Sequence, residues 1–114
     1  MTARPPKYPE TPDGRYFVSK SRMWRKTDPS LPEDARKAAV SDLMKARRAV
    51  RFAKTEEETR AARAGVQAAK ERLGERGPVW WDDVAEDVTR RAPWNTPYAA
   101  WWAGLSEDDR ARGT

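Results

Sequence analysis

Apolar residues change their spacing along this chain, and each change marks an element. They stand at Ala35, Ala39, Leu43, Ala46, Val50 and Ala53, spacings of 4, 4, 3, 4 and 3. That is one stripe of an amphipathic helix, and it predicts a helix over 31–53. Ser30 with Glu33 fits a capping box, and Pro32 is tolerated in a first turn. The pattern resumes at Ala62, Val66, Ala69 and Leu73 and predicts a second helix over 56–73. Thr55 with Glu58 is a second cap signature at the joint, the acids at 56–58 suit the positive end of a helix, and Gly74 suits its stop. The cap at the joint favours an antiparallel helical hairpin over one long helix, with alanines letting the two helices approach closely.

Before these helices the period is two. Tyr16, Phe17 and Val18 favour strand, as do Met23 and Trp24 more weakly, and Ser19, Lys20 and Ser21 can turn the chain. Strands over 15–19 and 22–26 would make a β-hairpin over 15–26, with Tyr16 and Val18 on one face and Trp24 the inward residue of the second strand. A lone hairpin is marginal in water, so it is expected to pack on the helical pair. Residues 1–14 carry prolines at 5, 6, 9 and 12 and read as an extended arm, part of it lying across the domain through Tyr8. After the helical pair, Trp81, Val84 and Val88 share a helical face and predict a short helix over 80–91, ended by Pro93. Thr96 and Pro97 begin another over 97–105, with Tyr98, Trp101, Trp102 and Leu105 on one side. Residues 107–114 read as a frayed tail. The expected fold is mainly α (α+β): one small domain over 15–106, its β-hairpin packed on an antiparallel helical hairpin and closed by two short Trp-rich helices.

Composition changes what must fill the core. The 114 residues are 38% hydrophobic and 36% charged, with leucine only at 31, 43, 73 and 105 and no isoleucine. Five of the six tryptophans lie between Gly77 and Trp102. Each large aromatic can remove about 150–250 Å² from water, so most of these rings are expected to stand in for the missing aliphatics. The chain has neither cysteine nor histidine. Disulfides, zinc sites with Cys or His ligands, histidine general bases, cysteine nucleophiles and Ser-His triads are excluded. No stretch approaches the about 20 apolar residues of a membrane-spanning helix, and the opening residues lack the apolar run of a secretory signal, so a cytoplasmic address without membrane contact is expected.

Charge is unevenly spread. Residues 1–54 hold 14 basic and 6 acidic side chains, and residues 55–114 hold 9 and 12. Two groups of cations stand out in the basic half: Arg15, Lys20, Arg22, Arg25 and Lys26 on the β-hairpin, and Lys45, Arg47, Arg48, Arg51 and Lys54 on the first helix. Such groups suit nucleic-acid phosphates or an acidic partner, although no motif for base readout accompanies them. Trp80 and Trp94 fall off the helical stripes and are the candidates for stacking or docking. Asp82, Asp83, Glu86 and Asp87 could together offer oxygen ligands to a divalent ion; acids in a first helical turn more often complement the helix dipole.

The chain resembles a family of short, uncharacterised bacterial proteins. The resemblance rests on Asp13 to Tyr16 with Trp24-Arg25, on the alanine- and arginine-rich middle, on Leu73 to Trp81 ("LGERGPVWW") and on Asn95 to Trp101 ("NTPYAAW"). Some members carry a biopolymer-transporter label, which does not transfer to a chain lacking any membrane-spanning stretch. Where the family pattern has glycine after "WWDD" this chain has Val84, and of an Asp-x-Asn-Arg element it keeps only Asp87 and Arg90. The resemblance implies a shared fold unit and no defined activity. The residues therefore lead first to a non-enzymatic protein–protein or self-association module without a cofactor. Nucleic-acid binding through the basic half is the alternative, and an enzyme or metal site on the acids after the tryptophan pair is the third.

Overall fold

The computed structural model describes residues 7–114, so Pro5 and Pro6 of the expected arm lie outside the described residues. The protein is mainly helical with one antiparallel β-hairpin, and it falls into two compact units. One combines the N-terminal residues up to Lys26 with Asp83–Thr114; the other is Thr27–Asp82.

In the first unit, β1 (Tyr16–Ser19) pairs with β2 (Arg22–Arg25) through a two-residue turn at Lys20 and Ser21. Both turn residues have positive φ, 54° and 60°, which is what a tight hairpin turn matched to strand twist requires. The register sets Val18 opposite Met23 and Tyr16 opposite Arg25. Directly opposed residues share a face, so Tyr16, Val18, Met23 and Arg25 are the buried set. Trp24 was expected to point inward. It lies instead on the other face, opposite Phe17, half-buried, with its indole N–H donating to the Ser19 carbonyl at 3.0 Å. Tyr8 of the arm stacks on Phe17 with ring centroids 5.6 Å apart.

Backbone bonds satisfy both outer edges of this hairpin. Along β1, Val18 N–H donates to Pro9 C=O and Thr11 N–H to Tyr16 C=O, each at 2.9 Å. Along β2, Met23 N–H donates to Arg91 C=O at 2.9 Å and Arg90 N–H to Met23 C=O at 2.7 Å. Edges closed in this way are not left as templates for other strands.

The tail departs from expectation in two places. Residues 80–91 form no helix. Asp83 and Asp87 each accept a hydrogen bond from the N–H two residues on, Ala85 at 2.9 Å and Thr89 at 3.0 Å. Those local turns compete with helical bonding. Val84 is fully exposed while Trp81 and Val88 are buried, so the three do not form one face. The other departure is at 107–114, where the expected frayed end is a helix. A 3₁₀ turn at Pro93–Asn95 leads to α3 (Ala99–Ala103), and α4 (Glu107–Gly113) follows. Ser106 caps α4 by accepting from Asp109 N–H at 3.1 Å. At the end of α4, Ser21 N–H donates to Gly113 C=O at 2.7 Å. A Cβ at position 113 would lie 3.1 Å from the Trp102 ring and 3.2 Å from Val18 Cγ1, so glycine is what lets the helix end close over the hairpin.

The second unit is the helical hairpin, α1 (Glu33–Phe52) and α2 (Glu56–Arg72). Arg72 reaches Asp42, and Gly65 faces Ala46 so closely that a Cβ there would lie 3.2 Å from the alanine methyl. These pairings run in opposite directions along the two helices, so the helices are antiparallel. Ala39, Leu43, Ala69 and Leu73 form the core, with Leu31, Val40 and Val66 partly buried against it. The expected stripe holds at its centre, while Ala35 is exposed.

The joint is capped as the sequence implies. Glu58 N–H donates to Thr55 Oγ1 at 3.0 Å, and Lys54 N–H donates to Glu58 Oε2 at 2.9 Å. The expected Ser30–Glu33 box at the start of α1 is absent. Ser30 donates instead to Asp28 Oδ1 from both its N–H and its hydroxyl, at 2.9 and 2.7 Å, and Pro32 takes the cap position. Helix α2 ends in a Schellman motif: Gly74 N–H bonds Glu71 C=O at 3.0 Å and Glu75 N–H bonds Lys70 C=O at 2.9 Å. Gly74 has φ of 79°, and a Cβ there would meet Trp80 Cδ1 at 2.9 Å. Among the described residues no helix is long and apolar enough to cross a membrane.

Candidate functional site

The ten cations singled out from the sequence separate into engaged and exposed sets. On the β-hairpin, Arg15 grips Asp83 with both guanidinium ends, one of them Nη1 to Oδ1 at 3.2 Å. Lys26 pairs with Glu10. Arg25 is only 4% exposed, with Nε 3.9 Å from Asp87 Oδ2, so its guanidinium is buried beside that carboxylate and is unavailable to a phosphate. Register explains this, because position 25 lies opposite Tyr16 on the buried face. Arg22 is exposed and donates to Arg90 C=O at 3.0 Å, and Lys20 is exposed in the turn.

The five cations of α1 behave differently. Lys45, Arg47, Arg48, Arg51 and Lys54 are all exposed, and among the described residues none makes an ion pair. No acid occurs between Asp42 and Glu56. Positions 47, 51 and 54 follow each other by 4 and 3 residues and so share a side of the helix. Two further arginines join that side. Arg47 with Val50 of α1, Arg63 with Val66 of α2, and Arg76 beyond α2 line one open groove of about 370 Å³. Sequence reasoning passed over Arg63 and Arg76 because they stand in the half of the chain with excess acid. The available signal was helical phase: position 63 flanks the buried Ala62, as 47 flanks Leu43 and Ala46.

The two off-stripe tryptophans differ. Trp94 is 53% exposed. Trp80 is half-buried, edge-on to Trp81 with centroids 5.2 Å apart and against Gly74. Of the rings expected to form core, Trp81 and Trp102 are buried, while Trp101 is half-buried.

The acids after the tryptophan pair do not converge. Asp82 and Glu86 are exposed, and Asp83 is held by Arg15. Asp87 belongs to a polar cluster around Tyr16, whose hydroxyl donates to Asp87 Oδ1 at 3.2 Å and accepts from Val88 N–H at 3.0 Å. Among the described residues no group of three or more acids is placed to hold a metal ion. A second cluster lies beside it: Tyr98 donates to Asp13 Oδ2 at 2.6 Å, and Thr11 donates to Asp13 Oδ1 at 2.7 Å.

These clusters predict how stability depends on pH. Burial, reinforced by the Asp87 charge, pushes the Tyr16 hydroxyl up from 10.0 to about 12. Burial and the Asp13 carboxylate also raise Tyr98. Burial alone would raise Asp13 and Asp87 as well. Hydrogen bonds from Tyr98 and Thr11 outweigh it at Asp13, and those from Thr89, with the Arg25 charge, outweigh it at Asp87, so both lie below 3.8. A tyrosine raised in the folded state stabilises fully below its unfolded value, and this is lost as pH rises from 10.0 toward about 12. A lowered carboxyl stabilises above its unfolded value, and this is lost as pH falls through and below 3.8. Urea midpoints measured against pH should fall on both sides. Tyr16→Phe should flatten the alkaline fall; an unchanged alkaline limb in that variant would remove Tyr16 as its source.

Comparison of the chain with family models, with curated proteins and with solved structures found no match.

Proposed function

We propose that the chain is a non-enzymatic nucleic-acid-binding module whose contact surface is the cationic side of the α1–α2 hairpin. The observation that carries this reading is the run Arg47, Arg48, Arg51 and Lys54, exposed and without an acid among them, with Arg63 meeting Arg47 across a groove. Clustered cations on one side of a helical pair attract a polyanion by releasing its condensed counterions. Guanidinium groups suit phosphate oxygens, to which they can donate two parallel bonds. With no recognition motif in the sequence, contact with the backbone is the mode this surface supports, so affinity for different base sequences should be similar.

A second reading, association with a protein or with a second copy, has its own support. Met44 and Phe52 on α1 are 59% and 67% exposed, apolar area that a partner could cover. Sedimentation at micromolar concentration tests it: a strict monomer removes self-association.

The primary test is binding of labelled single- and double-stranded oligonucleotides across a salt series. Affinity should be highest at low salt and fall steeply as salt rises. Replacing Arg47, Arg48 and Arg51 together by glutamine should lower the slope of log affinity against log salt by about one for each arginine on a phosphate. The helical fold should survive, because the three side chains are exposed and off the buried stripe. No binding to either form at low salt would end the proposal, since non-specific attraction is strongest there.

A further inference from the structure

The groove between the two helices differs from the rest of the cationic side. Its three arginines come from three separate segments, α1, α2 and the turn after α2, and no acidic residue lines it. We infer that this groove is a phosphate-binding site in which Arg47, Arg63 and Arg76 close on one tetrahedral phosphate group.

One of the three guanidiniums is already held in place. Arg76 Nη1 donates to Gln67 Oε1 at 2.8 Å. The Gln67 amide nitrogen is committed to Glu71 Oε1, also at 2.8 Å, so the amide oxygen is the atom left to meet Arg76. A carboxylate at position 67 would position Arg76 and cancel its charge. The neutral amide positions it and leaves the charge for a ligand. Glu71 fixes the amide without itself lining the groove. Arg47 and Arg63 make no ion pair among the described residues, so each can turn its fork to an anion without breaking a bridge. Val50 and Val66 supply an apolar wall. Low-dielectric walls around charge of one sign focus the field in a cleft. Arginine rather than lysine at all three positions favours the planar, paired bonds that phosphate oxygens accept.

The inference deepens the nucleic-acid reading above, with the phosphate supplied either by a nucleic-acid backbone or by a free phosphate. The test uses the full chain at fixed ionic strength, exchanging chloride for inorganic phosphate, with binding read by calorimetry and by NMR shifts of the arginine side chains. Wild type should bind inorganic phosphate. Arg63→Gln and Arg76→Gln should each weaken it about tenfold or more, as expected for loss of a charge-assisted hydrogen bond. Lys37→Gln, an equal change of charge on α1 outside this groove, should leave it unchanged. Circular dichroism checks that each variant is folded, and the resonances of Arg47, Arg63 and Arg76 should move together. In a second arm, phosphate competes with a labelled oligonucleotide. Competition assigns the groove to the nucleic-acid backbone; phosphate binding without oligonucleotide binding assigns it to free phosphate and ends the nucleic-acid reading. Oligonucleotide binding with no selective phosphate binding, or with equal losses in Arg76→Gln and Lys37→Gln, overturns the groove and leaves the broader reading standing. No binding in either arm ends both.

Discussion

Trp102→Ala should cost about 3–5 kcal/mol of folding free energy, the range for removing a buried large aromatic. Trp102 is the buried ring of α3, and the end of α4 closes on it: glycine at 113 brings the backbone so near that a single added Cβ would lie 3.1 Å from its outer edge. Removing the ring leaves a void that the short helix α3 has little means to fill. A loss of that size is a large share of the about 5–15 kcal/mol that holds most domains together. The measurement is urea unfolding, read by near-ultraviolet circular dichroism and by amide hydrogen exchange. Protection should fall first at Ser21 N–H, which donates to Gly113 C=O. A stability change within about 0.5 kcal/mol, the size typical of a surface substitution, would mean that the 99–113 segment does not support the hairpin.

Leu73→Ala should cost about 2–5 kcal/mol through the second unit. Leu73 is almost wholly buried in a core otherwise made of Ala39, Leu43 and Ala69. The methyls of Ala39 and Ala69 cannot swing into the vacated space, so Leu43 and the partly buried Leu31, Val40 and Val66 are the side chains that could shrink the cavity. Leu73 also ends α2, and its carbonyl accepts from Asp28 N–H at 2.8 Å, so the turn that enters α1 should loosen with it. Far-ultraviolet circular dichroism should show early loss of helix on heating, since α1 and α2 are the longest helices. A variant that melts with unchanged helical signal and midpoint would show that the helices do not depend on this core.

The helical hairpin was legible because its determinants are local. Thr55, Glu58 and Gly74 act on backbone groups within a few residues, and the alanine stripe is a periodic signal. The inward side of β2 was misread at Trp24, although hydrophobicity was not the deciding property. A two-residue turn at 20 and 21 sets 19 opposite 22 and 18 opposite 23, so Met23 and Arg25 had to share the side of Tyr16 and Val18. Counting across the turn would have placed Arg25 in the interior and removed it from the candidate surface. The helix expected over 80–91 failed for a different reason. Its aspartates bond their own backbone and distant partners, Arg15 and Tyr16, which periodicity cannot see. The helix at 107–113 was available in Ser106 and the three acids after it, an N-cap followed by an acidic first turn, but it lacks an apolar stripe. At the candidate site, Arg47, Arg48 and Arg51 stood out as a run in sequence. Arg63 and Arg76 join Arg47 only once the chain has turned back, a relation between segments that linear charge counts average away.

The division of the chain also sets an order for its making. Every residue of the helical unit lies between Thr27 and Asp82, so that unit is synthesised whole before residues 83–114 leave the ribosome. The β-hairpin is synthesised earlier and completed later. The outer edge of β2 has no backbone partner until Arg90 and Arg91 emerge, and the turn at Ser21 has none until Gly113 does. A nascent hairpin with its β2 edge open can pair with its neighbours on a crowded polysome. Released chains that end before Arg90 should therefore aggregate through the hairpin, whereas released chains that include Gly113 should not.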